Sequence, residues 1–192
     1  MKRLALSLVG ALALSAPTLA APQGNTLTDI VAASGGTYDT NFFDYDILLN
    51  AVLTAELDGA LADPTIDVTL FAPNDLAFIR LARDLGYDGF DEEGTFSFLV
   101  DVLTDLGNGN PIPVLTDILL YHVGTESLGP LQVLFSSSIE TLQGGEIRPF
   151  FFVLRDEEPD LRNPWVTFPL NVRADNGRLH TISRVLIPVD LP

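Results

Sequence analysis

The sequence predicts an α+β fold. Apolar residues recur at helical spacing from Asp46 to Leu120, whereas β-like stretches separated by turn residues dominate after Val123. Because helices come first and strands last, a doubly wound parallel sheet is disfavoured. The composition is 47% apolar, which supplies enough side chains for a hydrophobic core.

Helical periodicity marks four segments. The first is closed by Asp63-Pro64, a pair that cannot continue a helix. The second follows the break Ala72-Pro73-Asn74-Asp75, whose Asn and Asp side chains suit an N-cap. The third ends at the breaker cluster that starts at Gly107. We therefore expect helices over residues 46–61, 75–85, 95–106 and 113–120.

Strand patterns occupy one early segment and most of the chain after Val123. Residues 66–71 alternate apolar and polar, and 141–147 read as two strands about Gly144-Gly145. Asp175-Asn176-Gly177 is a strong hairpin signal that joins the last two strand candidates. Further strands are expected over 150–154, 165–174 and 179–187.

The N-terminus has the pattern of a secretory signal peptide. Lys2 and Arg3 precede the apolar run Leu4–Leu14, which is shorter than the roughly 20 residues of a membrane span. Small residues at Thr18 and Ala20 favour cleavage after Ala20. We expect residues 1–20 to be a leader and residues 21–192 to form one domain, with no transmembrane segment after cleavage.

The mature chain is strongly acidic and lacks cysteine. Removing Lys2 and Arg3 from 10 basic residues leaves 8 against 26 acidic ones, a formal charge of −18. This balance disfavours nucleic acid and anionic membrane surfaces as partners. Without Cys there are no disulfides, thiol nucleophiles or Cys-ligated zinc sites, so packing must supply the stability.

Three motifs occur in the order and rough spacing found in one domain family. They are Phe71–Phe78 (FAPNDLAF), Leu119–Val123 (LLYHV) and Asn176–Ile182 (NGRLHTI), the last followed by Val185–Pro188 (VLIP). From about Asp29 to Pro188 the chain resembles a fasciclin-type domain. The resemblance implies helices packed on a β-sandwich-like core. It also implies a non-catalytic binding and cell-adhesion module at the cell surface or in extracellular matrix.

The same resemblance directs attention to Tyr121, His122 and His180. The Tyr-His pair is implicated in adhesion in some animal members of the family. A physical alternative is that the three side chains are buried and bonded to the backbone, with a purely structural role. Two histidines without a third ligand make a poor zinc site, so we predict no metal or cofactor there.

Two positions depart from the family pattern. Ser183 stands where the family usually has Asp, so no role is expected of a carboxylate there. Asn171-Val172 occupies the place of the Asp-Ile pair of animal adhesion members. Integrin-type recognition is therefore not predicted.

Enzymatic motifs are absent from the sequence. There is no Gly-x-Ser-x-Gly elbow, and the acidic runs 88–93 and 156–160 are expected to be solvated carboxylates. Asp39, Asp44 and Asp46 form a third acidic group, for which an irregular, weak calcium site is the alternative to no site. The rival functions are a glycan-acting hydrolase with paired carboxylates, and a small-ligand carrier with a closed apolar pocket.

The sequence thus predicts a secreted or periplasmic binding module, free or associated with the cell surface. Its expected partners are an extracellular protein or glycan, or a second copy of the chain. An enzymatic activity is not predicted.

Export generates the first testable prediction. Protein recovered from the periplasm or medium should begin at Ala21, because Thr18 and Ala20 are small enough for the signal peptidase. N-terminal sequencing measures this directly. A membrane-bound product that retains Met1 would contradict it.

Overall fold

The computed structural model describes residues 24–34 and 36–189, and the predicted leader lies outside them. Within these residues helices and strands mix as the α+β class requires. The helices are α1 Leu27–Ala33, α2 Asp46–Thr54, α3 Asp58–Leu61, α4 Asp75–Asp84, α5 Glu92–Leu106, α6 Ile112–Tyr121 and α7 Pro130–Phe135. The strands are β1 Val68–Pro73, β2 Val123–Gly124, β3 Ile139–Glu140, β4 Glu146–Phe150, β5 Val153–Arg155, β6 Val172–Ala174 and β7 Gly177–Ile182.

The strands form two sheets. In the larger one the order is β2-β1-β7-β6, and β1 runs parallel to β7 with Val68 opposite Gly177 and Phe71 opposite His180. β2 and β6 pair antiparallel at the two edges. The smaller sheet, β3-β4-β5, is antiparallel throughout. The predicted hairpin at Asp175-Asn176-Gly177 is confirmed as the β6–β7 connection.

Two hydrophobic clusters lie on opposite sides of the β1–β7 pair. Leu70 and Ala72 of β1 pack with the helices, whereas Phe71 belongs to the cluster that includes residues of the small sheet. This alternation follows from the two-residue period of a strand. The second cluster holds Ile139, Ile147 and Leu154 against Phe71 and Ile182, which gives the β-sandwich-like core that was expected.

Asn176 fixes the start of β7 in the interior. Its side-chain oxygen accepts a hydrogen bond from Leu27 N at 2.9 Å, and its amide donates to Leu61 O at 2.8 Å and Asp63 O at 3.0 Å. The residue is fully buried. One side chain therefore ties α1 and the end of α3 to the central sheet.

The single helix predicted over 46–61 is wrong. α2 ends at Thr54, Glu56 adopts a left-handed backbone with φ 56°, and α3 begins only at Asp58. The break lets Val52 and Leu61 both enter the core cluster. No Gly or Pro lies at Glu56. Helical periodicity continues across this position, and it therefore predicts one uninterrupted helix.

The strand predicted over 150–154 is a hairpin instead. β4 ends at Phe150, Phe151 turns the chain with φ 54°, and β5 starts at Val153. Of the strand predicted over 165–174, only β6 forms, while Trp165 and Val166 make isolated bridges. Helix α7 was not predicted at all. Its single turn and a half is too short for a periodic signal.

Gly177 generates a prediction about stability. A Cβ there would lie 2.2 Å from the carbonyl oxygen of Val68, and φ is +151°. Gly177→Ala should lower the free energy of unfolding by at least about 2 kcal/mol, because the parallel pair must separate or the backbone must strain. Urea unfolding measures the change.

Gly144→Ala is the matched control for that experiment. Gly144 also has positive φ, +102°, but a Cβ would meet nothing within 4 Å. Its substitution should cost only the backbone strain, about 1 kcal/mol. Equal losses in the two variants would mean that contact with Val68 is unimportant.

Candidate functional site

Tyr121 and His122 lie at the C-terminal end of α6, inside the protein. Tyr121 is 0% exposed and His122 is 1% exposed. The Tyr121 hydroxyl donates to Glu146 O at 2.8 Å, which ties α6 to the small sheet. Burial raises the pKa of Tyr121 above its usual range. Neither side chain is placed to touch a partner at the surface.

Both ring nitrogens of His122 are occupied by backbone groups. Nδ1 donates to Ile118 O at 2.8 Å, and Nε2 accepts from Leu186 N at 2.9 Å. One nitrogen donates and the other accepts, so the ring is the neutral tautomer. Burial lowers the pKa of His122 to about 4, which keeps the ring neutral at physiological pH.

His180 has an equivalent arrangement on β7. Nε2 donates to Leu128 O at 2.9 Å, and Nδ1 accepts from Asn171 N at 3.3 Å. The ring stacks on Phe71 with centroids 6.1 Å apart. Burial lowers the pKa of His180 as well. With all four histidine nitrogens bonded to the backbone, we infer that Tyr121, His122 and His180 are structural residues.

A concentrated set of exposed apolar side chains forms the candidate binding site. Seven of the thirteen large hydrophobic side chains exposed among the described residues lie on three adjacent segments. They are between 47% and 82% exposed. We call this set the aromatic face, and it comprises Leu131, Phe135, Phe150, Phe151, Phe152, Trp165 and Phe168.

Three backbone segments bring the aromatic face together. α7 packs against β4, and Val166 N donates to Phe152 O at 2.8 Å, which joins the β4–β5 hairpin to the segment that carries Trp165. A small recess of about 20 Å³ lies among them, lined by Leu134, Phe152, Leu170 and His180. The buried His180 thus lies next to residues of the aromatic face.

The hairpin tip holds its aromatic rings at a conformational cost. Phe151 has φ 54° and is 68% exposed, although a bulky side chain disfavours a left-handed backbone by roughly 1–2 kcal/mol. Phe150 packs edge-on against Phe151 at 5.1 Å, and the Arg155 guanidinium lies 4.5 Å from the Phe150 centroid. In the sequence, the three consecutive phenylalanines are the signal for this site, although strand periodicity over 150–154 does not reveal the turn.

Several acidic residues expected in solvent are buried. Glu92 is 1% exposed and Glu158 is 3% exposed. Burial raises the pKa of Asp156, which accepts a hydrogen bond from Ile187 N, to about 6. The prediction of solvated carboxylates is therefore wrong for Glu92 and Glu158.

The geometry gives little support to the two rival functions. The converging carboxylates Asp44, Asp75 and Glu92 are buried, between 0% and 6% exposed, whereas a glycan hydrolase needs two carboxylates that its substrate can reach. Two apolar recesses among the helices hold about 50 and 200 Å³, below the roughly 300–1,000 Å³ of typical ligand pockets. A third, of about 370 Å³, is wider and open to solvent.

The sequence matches a known family of extracellular domains over most of its length. The Fasciclin domain model matches residues 43–188, which is most of the chain. The chain belongs to the fasciclin family. Fasciclin domains are cell-adhesion-associated modules and are generally non-enzymatic. Helix α1 precedes the matched range but packs Leu27 and Val31 into the same core, while the single domain over 21–192 stays a prediction.

The fold of this fasciclin domain is also found among solved structures. It is similar to a FAS1 domain pair from the insect cell adhesion molecule Fasciclin I, with a TM-score of 0.56 and 14% identity. The similarity covers 85% of this chain and 51% of that chain, so this domain spans about half of the pair. At this identity the likeness concerns the fold alone. A search of the curated proteins found no match.

His122 generates a prediction about pH dependence. Its pKa is about 4 in the folded protein and about 6.5 in the unfolded chain, so the unfolded chain binds the proton first as pH falls. Its contribution to stability is complete above about pH 6.5 and is lost towards pH 4. The loss should be about 3 kcal/mol.

The difference between wild type and His122→Gln isolates this effect, because Gln does not titrate. Urea unfolding of both proteins at several pH values should show the stability advantage of the wild type shrinking as pH falls from about 6.5 to 4. Parallel stability curves for the two proteins would show that His122 does not titrate as described.

Proposed function

We propose that this fasciclin domain is a non-catalytic adhesion module that binds an extracellular protein through its aromatic face. The observation that carries the proposal is the exposure of seven large apolar side chains on three adjacent segments. Large apolar side chains exposed together on adjacent segments of a soluble protein are typical of a protein interaction site. Aromatic residues are also enriched at the energetic centres of interfaces.

The conformation of Phe151 supports a functional origin of the face. A residue selected for stability alone at φ 54° would be Gly or Asn, which accept this backbone with less strain. Phe151 instead presents a large ring to solvent. Strain combined with exposure is characteristic of sites retained for binding.

Charge supports an apolar rather than an electrostatic mode of attachment. The predicted mature chain carries −18, yet the basic residues Arg148 and Arg155 lie on the two strands of the hairpin, so the acidic surface is relieved there. Apolar contact does not weaken as salt rises, whereas attraction to a basic partner does. A second copy of the chain is an admissible partner, because apolar contact opposes the mutual repulsion of two acidic domains.

A protein partner is favoured over a glycan. The face offers five Phe rings, the Trp165 indole and Leu131, whereas sugar recognition needs several directed hydrogen-bonding groups beside the rings. A binding role towards other proteins also agrees with family membership. Glycan binding is therefore kept as an outcome that the experiment can detect.

The proposed location is outside the cytoplasm, secreted or periplasmic, with attachment to the cell surface through the partner. Fasciclin domains are typically extracellular or cell-surface proteins. Across residues 24–34 and 36–189, no helix combines the length and apolarity needed to span a bilayer.

Binding of the mature domain to native envelope material tests the proposal. Binding should saturate and should persist or strengthen as salt is raised, because burial of the aromatic face drives it. Phe135→Ser and Phe151→Asn should each weaken binding about tenfold, the effect of losing one interface anchor. Phe151→Asn should also fold at least as stably as the wild type, since it relieves the left-handed strain.

Leu53→Ser is the matched control. Leu53 is an exposed helical side chain, 51% accessible, on α2 and outside the aromatic face. Its substitution should leave binding unchanged. Loss of binding with all three variants would contradict a site at the aromatic face. Glycan digestion that abolishes binding, or turnover of a glycan or ester substrate, would support the rival assignments instead.

A further inference from the structure

A second unusual feature lies on the helical side of the molecule, where five carboxylates converge. Asp46, Asp75 and Glu92 are the first residues of α2, α4 and α5. Asp39 and Asp44 come from the segment before α2. All but Asp39 are buried, between 0% and 6% exposed. Carboxylates are favourable at helix N-termini, but five at one point exceed what three helix ends can offset.

Three of these carboxylates share one pattern of hydrogen bonding. One oxygen of each accepts a hydrogen bond: Asp44 Oδ2 from Asn41 Nδ2 at 2.9 Å, Glu92 Oε2 from Asp39 N at 2.7 Å, and Asp46 Oδ1 from Gly36 N. The other oxygen of each is buried and has no hydrogen-bond partner among the described residues. Each carboxylate is thus oriented by a hydrogen bond to one of its oxygens. Its other oxygen remains available to a ligand.

Asp75 completes the arrangement from the opposite side. Its two oxygens accept hydrogen bonds from Asp46 N at 3.2 Å and Ile47 N at 2.8 Å, which orient the carboxylate. Oxygens of Asp44 and Asp75 lie within 4.8 Å of each other, so two acceptors face each other. Only a proton or a cation between them makes such a contact favourable.

Within residues 24–34 and 36–189, no basic side chain forms an ion pair with these carboxylates. The two ion pairs found among the described residues, Arg148–Glu146 and Arg184–Asp84, involve none of the five carboxylates. Unpaired buried charge is costly, so the site calls for a positive ligand.

We propose that this cluster binds a calcium ion, held by the unsatisfied oxygens of Asp46 and Glu92 together with Asp39 at the solvent edge, and that Asp44 and Asp75 lie next to it across Glu92. Ligand oxygens of Asp39, Asp46 and Glu92 lie within 4.8 Å of one another, as do those of Asp44, Asp75 and Glu92. Two oxygens on opposite sides of one calcium ion are separated by about 4.8 Å, twice the Ca–O distance of about 2.4 Å. One ion can therefore contact all the oxygens of such a triad.

The chemistry of the site selects calcium among common metals. Its ligands are carboxylate oxygens alone, which suit hard cations and not zinc, for which His and Cys are the usual ligands. Magnesium retains most of its water and requires a near-ideal octahedron, whereas these buried carboxylates come from three separate chain segments and fit the more flexible coordination of calcium. Exposed Asp39 provides the route of entry from solvent.

Calcium binding would join the segment before α2 to the N-termini of α2, α4 and α5. Calorimetric titration of the mature domain with calcium chloride should give saturable binding, with a dissociation constant of about 1 mM or tighter, as in extracellular calcium modules. The melting temperature should rise with calcium. An equal ionic strength of sodium chloride should raise it less, because screening acts on all surface charges alike.

Glu92→Gln and Glu93→Gln form a matched pair on consecutive residues of α5. Glu92 is buried in the cluster, whereas Glu93 is exposed. Glu92→Gln should weaken calcium binding at least about tenfold, since ligand charge sets the affinity, and Glu93→Gln should change it less than about twofold. Asp46→Asn provides a second test in case the first variant folds poorly.

The variants also distinguish two ways of neutralising the cluster, a bound cation and a proton shared between carboxylates. If calcium neutralises the cluster, Glu92→Gln without calcium should melt no lower than the wild type, because one buried charge is removed, and should lose the calcium-dependent rise. A wild-type melting temperature that responds to calcium no more than to sodium would overturn the proposal. Unchanged calcium affinity in Glu92→Gln would overturn it equally.

Discussion

The parallel pairing of β1 with β7 is the interaction on which the rest of the structure depends. It joins segments more than a hundred residues apart, so its closure carries a large entropic cost that local contacts must offset. Asn176 bonds to Leu61, 115 positions away, and Phe71 N bonds to the carbonyl of His122. His180 stacks on Phe71. The three family motifs, although distant in sequence, therefore meet at this junction.

The usual division between an apolar interior and a charged surface is reversed at two places. The aromatic face places rings in water, and the cluster at the start of α2, α4 and α5 places carboxylates inside. Each reversal opposes folding. The well-packed core around β1 and β7, in which both histidine rings are fully hydrogen-bonded, provides the stability that offsets both costs. Such departures from consistent patterning are where function is expected in a folded protein.

Local patterns predicted those elements that local forces determine. The cap at Asn74 accepts from Ala77 N as its sequence context indicated, and the Asn176-Gly177 turn gave the β6–β7 hairpin. The break at Glu56 and the turn at Phe151 were missed because neither carries a Gly or Pro signal. At Glu56 the left-handed backbone lets Val52 and Leu61 both reach the core, and at Phe151 it closes the pairing of β4 with β5, although each residue by itself disfavours that conformation.

The sequence by itself determined the α+β class, the order of most helices and strands, and the fasciclin family, because periodicity, turn chemistry and motif spacing are properties of short segments. Only the tertiary structure decided that Glu92 is buried among other acids while Phe151 stands in solvent. Periodicity tells which face of an element is apolar or acidic. It does not tell which faces find a partner, since that depends on contacts between segments far apart in the chain.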